Sequence, residues 1–257
     1  MVENRLKFFH QINDYFDKVY VVTIPRLKDR QAHMNLLLEG LDFEFINGTD
    51  KHELDVKDFE TLYDEKEHLR LSRFKKPLRP GEIACALSHL QVYQNAVENG
   101  FERVLVLEDD IDIVEAHLSQ LAVFLEHLPK KWELAYLGYW KNEKRPKLAW
   151  VKQFGYVLLS IVGFHKWSVR RILNTYPKPI DEEVLESGNH EGAYAYAVSL
   201  GGCKKLLAYN RPIKLNADNL FSHLATNRYL KAYISAKKIF AHRSQNGIGA
   251  FSSETGN

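Results

Sequence analysis

The chain has two cysteines in 257 residues, Cys85 and Cys203, with no CxxC pair. So sparse a set builds no disulfide framework and fits a reducing compartment. Charge of one sign is also missing. The 35 Lys and Arg stand against 33 Asp and Glu, so global charge does not point to a nucleic-acid partner. Nor does the sequence contain an aromatic-interleaved RNA-binding motif. Long hydrophobic runs are absent: YVLLSIVGF, from Tyr156, is far too short to span a bilayer. The opening MVENRLKFFHQINDYF has no apolar core of signal-peptide length. These absences lead to the expectation of a cytoplasmic protein, at most peripheral at the inner face of a membrane. No internal repeat or low-complexity linker divides the chain. Its 45% hydrophobic content suffices for one domain, or two closely joined halves.

What is present alternates between strand-like and helix-like segments. Val19 to Ile24 is a β-branched run stopped by Pro25, which has no backbone donor. Asp29 to Gly40 carries Met34, Leu37 and Leu38 at helical spacing, and a short strand, FEFI, starts at Phe43. Asp50 to Arg79 is charged and helix-prone, and reads as an insertion or flap. Pro80 to Gly100 predicts a long helix, opened by proline and glutamate and closed by ENG. Arg103 to Leu107 predicts a strand, Glu115 to Leu128 a helix and Glu133 to Leu137 another strand. This alternation argues for a mostly parallel α/β sheet, whose ligands bind outside the carboxyl ends of the strands.

At one such end lies VLVLEDDIDI, Val104 to Ile113: Glu108, Asp109 and Asp110 in a row, then Asp112. Adjacent carboxylates are costly to desolvate, so a cation or a shared proton belongs there. Capping a helix takes one acid, or two. A triple suits a divalent cation with hard oxygen ligands, or the hydroxyls of a sugar. Receiver domains of two-component signalling also place paired acids after a strand. They require a later phospho-acceptor aspartate, and none occurs between Asp112 and Asp181.

Three stretches, spanning roughly residues 19 to 221, resemble glycosyltransferase family 25, the lipooligosaccharide and collagen galactosyltransferases. VYVVTIPRLKDRQAHM is similar to the family's opening strand and basic turn. RPGEIACALSHLQVYQNAVENGFERVLVLEDDIDI resembles its central block, and GAYAYAVSLGGCKKLLAYNRPIKLNADNLF its third. Thr23 departs from the family's usual Asn, and the match after Phe221 is loose. The resemblance implies a GT-A-like fold: a Rossmann-like nucleotide-sugar half, about residues 15–140, merged with an acceptor half, about 141–257, in a single domain 1–257. It implies inverting transfer of galactose from UDP-galactose, aided by manganese or magnesium, onto a saccharide acceptor. Asp110 is then the expected main metal ligand, with Glu108 and Asp109 oriented to ribose, sugar hydroxyl or water, and Asp112 a surface acid. Thr23, Arg30, Glu82, Ser88 and His89 are the remaining donor-site candidates. Cys85 reads as a small core residue.

GT-A-like enzymes commonly take a metal-binding histidine from a late strand. AYISAKKIFAHRSQ reads as a strand ending at His242, with Arg243 beside it to meet phosphate. An inverting transfer needs a carboxylate base away from Asp110. Asp218 matches the family's late aspartate, ahead of a short amphipathic helix, with an N-cap role as its competitor; Glu191 follows it, at the end of DEEVLESGNHEG, which reads as a mobile polar loop. Two basic clusters remain: Lys66, Arg70, Arg73, Lys75, Lys76 and Arg79, and an acid-free tail holding Arg228, Lys231, Lys237, Lys238 and Arg243. The tail points to an anionic partner, such as a phosphorylated lipid-linked saccharide or an acidic leaflet. The competing function is a nucleotide-binding protein that keeps the fold without catalysis.

Overall fold

A computed structural model describes residues 2–72 and 76–243. The first half contains α1 (Val2–Tyr15), β1 (Lys18–Thr23), α2 (Lys28–Leu37), β2 (Glu44–Asn47), α3 (Val56–Leu62), α4 (Glu65–Leu71), α5 (Pro80–Asn99), β3 (Arg103–Glu108), β4 (Ile111–Ile113), α6 (Gln120–His127) and β5 (Leu134–Trp140). The second contains α7 (Ala149–Ile161), α8 (Val169–Leu173), β6 (Lys178–Pro179), β7 (Val184–Glu186), β8 (Glu191–Ser199), α9 (Leu200–Asn210), α10 (Ala217–Thr226), β9 (Ala232–Ser235) and β10 (Phe240–His242).

The main sheet has the order β2-β1-β3-β8-β5-β9-β7-β6. Strands β2, β1, β3, β5, β9 and β6 run one way, and β8 and β7 run against them. The α/β class and the predominantly parallel direction follow the sequence pattern. The reversed β8 does not: it comes from the second half of the chain and is inserted between β3 and β5, so one sheet runs through both halves. Strand β3 is apolar from Val104 to Leu107 because both its faces are covered there. Val104 and Val106 face one cluster, with Tyr93 of α5, Leu206 of α9 and Phe221 of α10. Leu105 and Leu107 face the other, with Phe8 and Ile12 of α1 and Phe124 of α6.

Helix α5 shows why a local sequence signal can suffice. Pro80 takes a first-turn position, where its missing N–H costs nothing, and Glu82 Oε2 accepts the Arg79 N–H at 2.9 Å. Gly100 closes the helix at φ +70°, a conformation that only glycine adopts cheaply.

Several expectations need correction. AYISAKKIFAHRSQ is two strands: β9 joins the main sheet beside β5, then Ser235 Oγ donates to the Lys237 carbonyl at 2.7 Å in a turn, and β10 pairs antiparallel with β4. The Glu115–Leu128 helix begins late, as a 3-10 turn over Glu115–His117 precedes α6. DEEVLESGNHEG is ordered by β7 and by buried Ser187 and His190 rather than being a mobile loop. The presumed flap is pinned: Asp64 N–H donates to the Ile213 carbonyl at 2.8 Å, Ile213 N–H to Leu62 at 2.7 Å, and His68 Nδ1 to Lys214 at 2.8 Å. Arg73 and Lys75 of its basic cluster lie outside the described residues. So does the tail beyond Arg243. The described tail lacks acids only in sequence, since Arg228 pairs with Glu186 and Lys238 with Glu143 from elsewhere in the fold. No helix among the described residues is long and apolar enough to cross a membrane.

Candidate active site

The acids after β3 sit on a strand–turn–strand. Glu108 ends β3, Asp109 and Asp110 make the turn, and Ile111 starts β4. Arg30 is the cation that the sequence required. It is buried on α2, and its Nη1 donates to Asp109 Oδ1 at 2.7 Å and to Asp110 Oδ2 at 3.1 Å. Thr23, at the end of β1, donates its hydroxyl to Asp109 Oδ2 at 2.6 Å. Asp109 is therefore held on both oxygens by protein, and burial pushes its carboxyl up, against the opposing pull of Thr23 and Arg30.

Asp110 is differently placed. His242 Nε2, from β10, lies 3.3 Å from its Oδ2, and its backbone carbonyl accepts the Arg243 N–H at 3.0 Å. Burial opposes ionisation here too, but the His242 hydrogen bond and the charges of His242 and Arg30 outweigh it and hold the carboxyl below its usual range. The same hydrogen bond raises the His242 pKa, against burial. Asp110 Oδ1 is buried with no hydrogen-bond partner. A buried, unpartnered carboxylate oxygen beside an imidazole nitrogen suits a divalent ion. A second grouping, Cys85, His89 and Glu108, brings its ligand atoms within 4.8 Å of one another. Burial raises the Cys85 thiol well above its ordinary range. Asp110 Oδ1, buried without a hydrogen-bond partner, is the observation that favours Asp110 and His242.

These residues line a cavity of about 340 Å³, together with Ser88, His89 and Glu108. His89 is buried, with Nδ1 2.8 Å from the Tyr196 hydroxyl and Nε2 3.3 Å from Glu108 Oε1. Ser88 braces the wall: it accepts the Thr49 N–H at 2.9 Å and donates to the Ala84 carbonyl at 2.8 Å. Gly48 is needed beside it, because a Cβ there would stand 2.4 Å from Ser88 Oγ. Asp112 is not a surface acid. It is mostly buried, 3.6 Å from His33, with Oδ2 unpartnered.

A second cavity, of about 570 Å³, adjoins the first and shares Cys85, Glu108 and His242 with it. Asp218 and Glu191 line it with Trp140 and Glu82. Asp218 lies in the first turn of α10, whose N-cap position, Asn216, makes no side-chain cap bond. Its carboxylate accepts the Asn219 N–H at 2.7 Å and the Gly192 N–H at 3.4 Å. Burial nevertheless raises its pKa, and those hydrogen bonds only partly offset the effect. Glu191 is half exposed and salt-bridged to Lys141 at 2.6 Å. Glu82 falls on this second cavity and not on the first, and its carboxylate serves the capping box of α5.

Two wall residues escaped the sequence reading. Cys85 opens onto both cavities and is not a core residue, and Trp140 ends β5 at the rim. The signal for Trp140 was its place at a strand's carboxyl end.

The sequence model of glycosyltransferase family 25, described as an LPS biosynthesis protein, matches residues 16–221. The chain belongs to glycosyltransferase family 25. Among relatives in the family, procollagen galactosyltransferase 1 of Danio rerio is 25% identical over 254 residues, covering 93% of this chain and 35% of that protein. Procollagen galactosyltransferase 2 of Homo sapiens is 27% identical over 129 residues, 48% of this chain and 21% of its own length. A human protein named inactive glycosyltransferase 25 family member 3 is 24% identical over 212 residues, 77% of this chain and 30% of its own length. The chain thus spans about a third or less of these relatives. The family-25 match covers both acidic walls of the joined cavities, from Thr23 to Asp218, whereas His242 and Arg243 lie beyond residue 221.

Proposed function

We propose that this family-25 chain is an inverting hexosyltransferase that moves galactose from UDP-galactose onto a saccharide hydroxyl. The observation that carries the reading is the pair of joined cavities. One presents Asp110 and His242, the other presents Asp218, and they meet at Glu108 and His242. The galactose donor is supported by the names of the relatives, and a lipid-linked glycan acceptor by the description of the family.

In this reading Arg30 and Thr23 fix Asp109, and through it the acidic turn, while Asp110 and His242 would hold a divalent ion. Such an ion, when bound, neutralises charge that builds up on the leaving diphosphate. Glu108 and His89 line the donor cavity on the sugar side. Asp218 accepts the proton of the acceptor hydroxyl as that oxygen bonds to the anomeric carbon, and the bond from carbon to the UDP oxygen breaks on the opposite face. A carboxyl whose pKa burial has raised is the better base for this step. Glu191, tied to Lys141, is the reserve candidate.

Because relatives named inactive match about as well as those named for activity, turnover is the decisive measurement. Incubation with UDP-galactose, manganese and saccharide acceptors should release UDP in step with acceptor galactosylation. UDP and manganese should raise the melting temperature together. Joint stabilisation with no turnover on any acceptor would instead establish the non-catalytic nucleotide-sugar binder.

A further inference from the structure

Helix α7 carries its apolar residues on the outside. Its buried and half-buried positions, Ala149, Gln153, Tyr156, Val157 and Ser160, recur at the spacing of one helical face. That face is largely small or polar, and its polar groups are satisfied within the fold. Gln153 donates to the Ile172 carbonyl at 2.8 Å and accepts from Arg145 at 3.2 Å, and Ser160 donates to the Trp167 carbonyl at 2.8 Å. The large apolar side chains point away: Trp150 is 61% exposed, Phe154 62%, and Phe164, just past the helix, 85%, with Leu158 and Ile161 exposed between them. A helix on a globular domain ordinarily turns its apolar stripe inward, and a contiguous exposed patch marks a contact surface.

The charge around this patch identifies the contact. From Lys144 to Ile180 the sequence has eight Lys and Arg and no acid. Lys144, Lys147 and Lys152 are exposed at the start of the helix. Two copies meeting through this face would bring cationic stretches together, whereas an anionic leaflet would neutralise them.

We propose that α7 seats the protein on an anionic lipid surface. The helix lies in the membrane plane, with Trp150, Phe154 and Leu158 at the acyl boundary and Lys144, Lys147 and Lys152 among the headgroups. This contact differs from the basic tail that the sequence suggested. It also stands apart from the transfer reading, because vesicle binding needs no turnover.

The test is co-sedimentation of the full chain with phosphatidylcholine vesicles, with and without phosphatidylglycerol. Binding should require the anionic lipid and weaken with salt. Brominated acyl chains should quench tryptophan emission, and Trp150→Phe should remove most of that quenching. Replacing Trp150, Phe154 and Leu158 together with serine should lower partitioning roughly a hundredfold. Replacing Lys144, Lys147 and Lys152 with glutamine should lower it about fivefold per charge. Because all six side chains are exposed, melting temperature and stabilisation by UDP should stay at wild-type values. Wild type remaining in the supernatant, or a serine triple variant that binds as wild type does, overturns the proposal. So does a dimer that the serine variant dissolves while neither protein binds vesicles, since a second copy would then be the occupant.

Discussion

Arg30 faces two carboxylates from inside the protein, and this makes it the residue on which the acidic turn depends. Its removal leaves buried Asp109 with the Thr23 hydroxyl but without its cation, and breaking a buried ion pair generally costs about 3–5 kcal/mol. Arg30→Met should show a loss of that size in urea unfolding at neutral pH; a loss under about 1 kcal/mol would mean that water already solvates the pair. Asp110→Asn is different, since it keeps the shape and removes the unpartnered Oδ1 charge. Joint stabilisation by UDP and manganese should vanish while the fold persists, and full stabilisation in the variant would sink Asp110 as a ligand. Asp218→Asn should lower the transfer rate by about 10²–10⁴ with little change in melting temperature. The wild-type rate should fall as pH drops through the raised Asp218 value, so its acid limb lies above the ordinary carboxylate range. A near wild-type rate in Asp218→Asn would shift attention to Glu191.

Helix α9 shows how neighbouring glycines in one element carry opposite signs. Gly201 is exposed, and a Cβ there would meet only Ser199 Oγ at 3.8 Å, whereas at Gly202 it would stand 2.2 Å from the Glu133 carbonyl oxygen. Gly201→Ala should therefore stabilise by about 0.5–1 kcal/mol through helix propensity. Gly202→Ala should destabilise by roughly 1–3 kcal/mol, as α9 is forced off the start of β5. Thermal melts of the two variants check the contrast, and equal shifts would refute it. Elements written in local pattern were legible in the sequence: the β-branched run of β1, the apolar β3, and α5 between its proline and its glycine. Elements whose form is set by distant partners were not. The break between β9 and β10 depends on pairing with β5 and β4, and the insertion of β8 depends on a sheet that no local period encodes. At the site, the acid run announced a need for positive charge. That Arg30 and His242 jointly supply it emerges only from the tertiary structure, as does the opening of Cys85 onto both cavities.

For the molecule as a whole, two buried histidines set an acid limit. His190 and His223 have pKa values lowered to about 4, first by desolvation. The unfolded chain, with histidines near 6.5, therefore binds more protons between those values. Stability from both groups is intact above pH 6.5 and falls as pH drops toward 4, by about 1.4 kcal/mol per unit for each histidine. His242, raised instead, acts with the opposite sign and only as pH climbs past 6.5. Urea titrations at pH 7 and pH 5 should show this decline, and His223→Gln should reduce its slope by about half; a flat profile would mean that neither histidine is held neutral. The pairing of β4 with β10 has a consequence for biosynthesis. Asp110 and His242 are separated by 132 residues of chain, which a ribosome adds in roughly 7–26 s at about 5–20 residues per second. For that interval a nascent chain has its acidic turn and Arg30 but not the imidazole that completes the pair. Chains arrested before Phe240 should thus be unable to retain UDP with manganese, however well their first strands have folded.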